Sequence, residues 1–380
     1  MSQPAELKKE LGGAGLRGQS AGTTALCTVG KTGTGLTYRG FDITDLAHNA
    51  EFEEVAYLLL RGTLPTKDQL DQYKTRLCSL RGLSNDLKKV LELIPSSAHP
   101  MDVMRTGCSF LGNLEQEVDF GDQYQVTERL LAQFPAIICY WYRYSHDGVR
   151  IDTEDQTESC IGGYFLKMLT GKEASEMHKK VMHCSLILYA EHEFNASTFA
   201  ARVCASTLSD QHSCISAAIG TLRGPLHGGA NEAAMEMIQD WRTPEEAETK
   251  IMGMLDKKEK IMGFGHAIYR ESDPRNGLIK EWAKLLSEDV GDSYLYAVSE
   301  RVESVMKREK GLFCNADFFH ASAYHFMDIP TKLFTPIFVM SRLTGWAAHI
   351  YEQRENNRII RPSADYTGPE SQIWIPIEKR

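Results

Sequence analysis

An almost entirely helical protein with a small β-hairpin near its start is what this sequence predicts. Three observations carry that prediction. From residue 42 onward, apolar residues recur at helical spacing over most of the chain. The gaps between these runs hold helix stops and starts, such as Gly62, Gly82, Pro95, Pro100 and Thr243-Pro244-Glu245-Glu246. Strand signal is confined to the start, with a trace at the end.

Residues 1–20 are rich in glycine and polar groups and read as a loose arm. Residues 24–38 read as the hairpin. Gly33 and Gly35 inside it form a turn and not a nucleotide loop, because no third glycine and no Gly-Lys-Ser/Thr follow at the required spacing. Helices follow at 51–60, at 66–82 (Thr66 and Gln69 forming a capping box) and at 84–94. The next opens at Pro100, since proline is favoured in a first helical turn. Residues 114–126 form an acidic surface loop. Residues 127–145 are helical, and their aromatic stripe (Phe134, Tyr140, Trp141, Tyr142, Tyr144) reads as core or subunit interface. Further helices are expected at 158–170, 174–193, 196–206 and 210–222, the last two rich in small residues that allow close packing. Then come 275–287, 293–309, 316–327 and 333–356. The tail from Arg358 reads as extended over the surface.

The chain has 380 residues, enough for a sizeable core and for two lobes. A net charge of −9 excludes a broad nucleic-acid-binding face. Nine cysteines, none in a Cys-x-x-Cys pair, fit reduced buried thiols better than a disulfide framework. The first residues lack a signal-peptide core, and no run approaches 18 apolar residues, so a cytoplasmic protein is expected. No His/Cys cluster has metal-ligand spacing, so no metal is expected.

Chemistry concentrates between Gly224 and Arg275. Gly-Pro-Leu-His-Gly-Gly-Ala-Asn-Glu (224–232) and Gly-Phe-Gly-His-Ala-Ile-Tyr-Arg (263–270) each set a histidine, His227 and His266, among glycines at a helix edge. Glycine allows close backbone approach to a ligand, and histidine exchanges protons near neutral pH. One such histidine reads as a surface turn. Two of them, with Arg275 nine residues after the second, read as a site. His192, in Glu-His-Glu-Phe-Asn, lacks the second histidine of a zinc helix and by itself reads as a hydrogen-bonded core residue. Asp317, before two phenylalanines, is either a helix N-cap or a partly desolvated base, and the local pattern favours the cap. Arg275, Arg342 and Arg361 stand in apolar or glycine-rich surroundings. They suit either structural ion pairs or a small substrate with more than one carboxylate, each bound bidentately.

These motifs together resemble the citrate synthase family, from about Thr24 to Glu370. The resemblance is carried by residues 24–31, 38–43, 99–106 and 191–198, by the two glycine–histidine motifs, by Asp273-Pro274-Arg275, and by Arg-Pro-Ser-Ala-Asp-Tyr-Thr-Gly (361–368). It implies a two-domain helical fold, with a large domain of residues 1–223 and 331–380 and a small domain of residues 224–330. The active-site cleft would lie between them and close on substrate. The implied reaction condenses propionyl-CoA with oxaloacetate and water to 2-methylcitrate and coenzyme A. The alternative is acetyl-CoA, giving citrate, and a non-catalytic helical scaffold is the reading from another class.

By the same resemblance, His227 would hydrogen-bond the thioester carbonyl as it enolises, Asp317 would remove the α-proton, and His266 would polarise and protonate the ketone. His192, Arg275 and Arg342 would hold oxaloacetate, with Arg361 arriving from the partner subunit of a homodimer. Arg270, with Gly263 and Gly265, would contact coenzyme A, which is a substrate and not a prosthetic group. The short segment before the hairpin leaves no room for the extra N-terminal domain of the larger bacterial enzymes, so a dimer without NADH control is expected.

Overall fold

The structure, a computed structural model, describes residue 16 and residues 19–30, 35–292 and 294–380. Gly33 and most of the N-terminal arm lie outside these residues. Sixteen α-helices and one small sheet are found among them.

The predicted hairpin is a three-stranded antiparallel sheet of β1 (Cys27–Val29), β2 (Leu36–Tyr38) and β3 (Phe41–Asp42), with Cys27 opposite Tyr38 and Tyr38 opposite Phe41. Alternation puts Leu36 and Tyr38 inward, and both are buried.

The helices that follow are α1 (Ile43–Asn49), α2 (Phe52–Arg61), α3 (Lys67–Ser79), α4 (Asn85–Glu92), α5 (Pro100–Leu114), α6 (Gln123–Asp147), α7 (Ile161–Thr170) and α8 (Glu176–Tyr189). Thr66 and Gln69 form the expected reciprocal capping box at the start of α3. Then come α9 (Ala196–Ser206), α10 (Gln211–Leu222), α11 (Ala230–Ile238) and α12 (Pro244–Asp256). The last four are α13 (Pro274–Asp289), α14 (Leu295–Lys310), α15 (Ala316–Phe326) and α16 (Phe334–Glu355). None of the helices among the described residues is long and apolar enough to cross a membrane.

Helix α16 is the axis of the core. Nearly every residue from Phe334 to Tyr351 is buried, and it packs against α2, α6, α8, α9 and α10. Helices α9 and α10 lie closely together, as their small residues predict. Helices α11 to α15 pack largely on one another, α13 on α15, α11 on α15 and α12 on α14. Helix α13 also reaches α1 and α8, and α11 reaches α16.

One expected helix is shorter than its pattern. Residues 174–193 were expected as one run, but α8 ends at Tyr189. The reason is tertiary. The terminal carbonyls of a helix have no partner within it, and here buried side chains supply the donors. Ser341 Oγ donates to Leu186 O. Tyr38 Oη donates to Ile187 O at 2.9 Å and Glu191 O at 3.1 Å. Arg342 Nε donates to Tyr189 O at 2.6 Å.

Gly345 faces this bend, and a β-carbon there would collide with the Ala190 carbonyl and the Glu191 carboxylate. Gly345→Ala should therefore overpack the α16 contact and cost about 1–3 kcal/mol of stability. A urea titration followed by circular dichroism would measure it, and an unchanged midpoint would show that the contact yields freely.

Candidate active site

A cavity of about 580 Å³ opens beside the bend after α8. His192, His227, His266, Arg275, Asp317 and Arg342 all line it, as do Gly263 and Gly265. Six residues from His192 to Arg342, spread over 151 positions of sequence, thus converge on one space. Two of the predicted residues do not join them. Arg270 is exposed and does not line the cavity, and Arg361 lies exposed in the C-terminal tail.

Each side chain is held by its local structure. His227 sits in the turn before α11, where its Nε2 accepts the Ser197 backbone N–H at 3.1 Å and contacts Ser197 Oγ at 2.8 Å. An accepting Nε2 puts the proton of the neutral ring on Nδ1, leaving Nδ1–H as a donor. Trp346 Nε1 in turn donates to Ser197 Oγ at 3.1 Å. His266 has the opposite arrangement. Its Nδ1 accepts the N–H groups of Ile268 and Tyr269 at 3.1 and 3.2 Å, so Nε2 carries the proton. Burial, with Arg342 beside His227 and Arg275 beside His266, lowers both pKa values to about 4. Both rings are therefore neutral donors at neutral pH. His192 Nε2 meets Tyr269 Oη at 3.1 Å, and its ring lies 5.1 Å from that of His266. Burial, and next to it the Arg275 charge, pushes His192 well below its ordinary value.

The loop bearing His266 is stitched to the segment bearing Asp317. Gly265 N–H donates to Phe313 O, Asn315 N–H to Gly263 O, and Asn315 Nδ2 to Gly265 O. Gly263 and Gly265 both have positive φ (86° and 71°), and a β-carbon on Gly263 would strike Phe318.

Asp317 corrects the sequence reading of a cap. Asn315 is the N-cap of α15, its side chain accepting the Asp317 N–H at 3.0 Å. The Asp317 carboxylate is thereby free to face the cavity, where Oδ1 accepts the Tyr189 hydroxyl at 2.7 Å. Desolvation raises its pKa, although the Tyr189 hydrogen bond and Arg275 oppose the rise. The outcome is a carboxylate more basic than usual at the N-terminus of a helix.

The two arginines differ. Arg275 is paired bidentately with Asp273, at 2.9 and 2.8 Å. Arg342 has no carboxylate within 4.0 Å among the described residues. Its Nε serves Tyr189 O and its guanidinium lies 4.6 Å over Phe338. A buried guanidinium without an anion is costly, so the cavity is charged to receive one. Among the described residues, one group has ligand atoms close enough for a metal ion, Glu51, Glu53 and His183. It does not line the cavity, and Glu51 is paired with Lys74 at 2.5 Å.

Sequence reasoning missed Tyr189, Ser197 and Asp273 as parts of this site. Tyr189 lies in an ordinary helical pattern, Ser197 and Asp273 lie in motifs that carry the family resemblance, and only tertiary contact shows what each of them touches.

The description "Citrate synthase, C-terminal domain" is that of the family model matching residues 15–363. A 2-methylcitrate synthase of Shewanella oneidensis is 68% identical over 98% of this chain and 99% of its own length. Citrate synthase 2 of Bacillus subtilis is 44% identical over 96% and 98%. Among solved structures, a Thermoplasma acidophilum citrate synthase in a ternary complex with carboxymethyl coenzyme A and oxaloacetate has a TM-score of 0.89. Its identity is 30%, over 96% of this chain and 98% of that one. The Thermotoga maritima citrate synthase gives a TM-score of 0.86 at 34% identity, over 97% and 99%.

The raised pKa of Asp317 has a stability consequence. The folded protein holds this proton more tightly than the unfolded chain. Stability is therefore lost as pH rises from the ordinary carboxylate value through the folded value. Asp317→Asn should melt higher than the wild type at pH 7, with the gain vanishing below the ordinary carboxylate range. Calorimetry across pH would test this, and a variant less stable at pH 7 would contradict it.

Proposed function

This chain belongs to the citrate synthase family, and from that premise we propose that it condenses propionyl-CoA with oxaloacetate and water to 2-methylcitrate and coenzyme A. The observation that carries the propionyl assignment is the 68% identity to the Shewanella oneidensis 2-methylcitrate synthase over nearly the whole chain. Acetyl-CoA is the second reading, supported by 44% identity to a citrate synthase. One methylene in an apolar pocket changes discrimination by only about 1–3 kcal/mol, so activity with both is expected.

Asp317 takes the α-proton of the thioester. A thioester α-proton is too weakly acidic for a carboxylate acting alone, so the electron pair must be drawn onto the carbonyl oxygen. His227 Nδ1–H donates to that oxygen as charge develops. The resulting enol carbon attacks the ketone carbon of oxaloacetate, and His266 Nε2–H supplies the proton to the ketone oxygen. Arg342, Arg275 and His192 hold the dicarboxylate, whose charge the unpaired Arg342 guanidinium matches. Hydrolysis of the thioester then releases coenzyme A and makes the sequence irreversible. A small domain of residues 224–330 closing on a large one would keep water from the enol. Leu226, 91% exposed beside the cavity, is a group that closure would cover.

The enzyme acts as a homodimer in the cytoplasm, in propionate breakdown. The dimer reading is supported by the exposed apolar tail, where Ile373 and Trp374 are 90% and 74% exposed. In the dimer, Arg361 completes the partner's oxaloacetate site, and Arg270 reaches coenzyme A phosphate.

Four measurements test these proposals. The ratio of kcat/KM for propionyl-CoA to acetyl-CoA, read by thiol release, should exceed one, and the reverse would make this a citrate synthase. Asp317→Asn should lower kcat by about 10²–10⁴-fold. Activity should persist at neutral pH and fall under acid conditions as Asp317, whose pKa burial raises, takes a proton, because a protonated carboxyl cannot remove the α-proton. For the dimer, Arg361→Ala and Asp317→Asn chains refolded together should recover activity that neither shows alone, since one site then holds both residues. No recovery would remove Arg361 from the partner's site.

A further inference from the structure

Asp273 is the N-cap of α13, and its side chain is fully buried. Both of its oxygens are occupied, from two directions. Oδ1 accepts the backbone N–H of Arg275 at 3.1 Å and its Nε at 2.9 Å. Oδ2 accepts Arg275 Nη2 at 2.8 Å and the backbone N–H of Ala316 at 3.0 Å. Ala316 is the first residue of α15, and the next is Asp317. Arg275 spends Nε and Nη2 on this carboxylate and keeps Nη1 for another anion.

We propose that Asp273 is a positioning residue for proton removal, one buried carboxylate that joins the oxaloacetate-binding Arg275 to the helix end carrying Asp317. This deepens the proposed function and rests on its reading of Arg275 as substrate-binding and Asp317 as the base. The geometry argues for a specific coupling and not a generic ion pair. A pair serving only to neutralise Arg275 has no need of the Ala316 amide. By accepting it, Asp273 satisfies one of the free N–H groups of α15 and sets where its first turn begins. A shift of Arg275 then moves Oδ2, and with it the start of the helix.

Charge runs through the same contact. The groups that bear on Asp317 are Tyr189 of α8, Asp273 and Arg275 at the start of α13, Arg342 of α16 and Tyr324 on α15 itself, and His266 of the glycine loop lines the same cavity. Desolvation is the largest influence on the Asp317 pKa. Asp273 adds to the rise, while Tyr189, Arg275 and Arg342 work against it. Asp273 thus offsets the arginine that would otherwise weaken the base.

The test is the pH dependence of kcat/KM for propionyl-CoA at saturating oxaloacetate, with the KM for oxaloacetate measured alongside. Asp273→Asn should raise that KM about tenfold, the scale of a hydrogen bond to a charged group. It should also move the acid limb to lower pH, because an uncancelled Arg275 makes Asp317 a weaker base. Arg275→Gln should move the limb the other way. A merely structural role would lower both rates without moving either limb, and limbs that stay put or move together would overturn the proposal. If Asp273→Asn does not fold, Asp273→Glu decides. It keeps the charge and displaces it, so the limb should stay while kcat falls, and an unchanged kcat would overturn the coupling. Failure of the underlying reading is separable. Substantial turnover by Asp317→Asn would remove the base itself, whereas an inactive Asp317→Asn with unmoved limbs would remove only the role of Asp273.

Discussion

The C-terminal end of α8 is the point on which the site depends. A helix that stops leaves carbonyls that must be satisfied if water is excluded. Here Ser341, Tyr38 and Arg342 satisfy them from α16 and from the small sheet. This arrangement places Tyr189 against Asp317 and turns the chain so that His192 enters the cavity three residues later. It also anchors Arg342 by Nε, so that the rest of its guanidinium is presented and not folded away. The carbonyl end of the helix, with its partial negative charge, is a favourable place for that cation. The sheet, minor in size, therefore has a specific task, because Tyr38 reaches the bend from β2.

The electrostatics of the cavity follow from dryness. Desolvation keeps three histidines neutral and makes one carboxylate more basic, all in the direction that burial dictates. Backbone donors then decide which nitrogen of His227 and of His266 carries the proton. Ser197 takes Nε2 of His227, and the amides of Ile268 and Tyr269 take Nδ1 of His266. Two chemically identical rings are thereby made into donors through opposite edges. The two buried arginines are likewise separated by their partners. One is compensated by Asp273, and the other has no carboxylate within 4.0 Å among the described residues.

Much of this was legible in the sequence, for physical reasons. Helices with one apolar stripe and clear caps announce themselves locally, as Thr66 and Pro100 do. The glycine–histidine motifs were visible because glycine has few other reasons to cluster beside a histidine. Asp317 shows the limit of local reading. A carboxylate at a helix start reads as a cap, and only the structure reveals that Asn315 already fills that position. The end of α8 shows it again, since nothing between Tyr189 and Asn195 breaks a helical pattern until Tyr38 and Arg342 are brought to it.

By itself the sequence determined the helical class, the small sheet, the residue types available for acid–base work, and the family to which they belong. These depend on periodicity, on backbone freedom at glycine and backbone restriction at proline, and on motifs that are contiguous along the chain. Tertiary structure alone decided which residues meet, which histidine nitrogen is protonated, which arginine is neutralised and how basic Asp317 becomes. Those properties depend on desolvation and on partners far away in sequence, such as Tyr189 for Asp317 or Ser197 for His227. Such distances are not encoded in any local pattern.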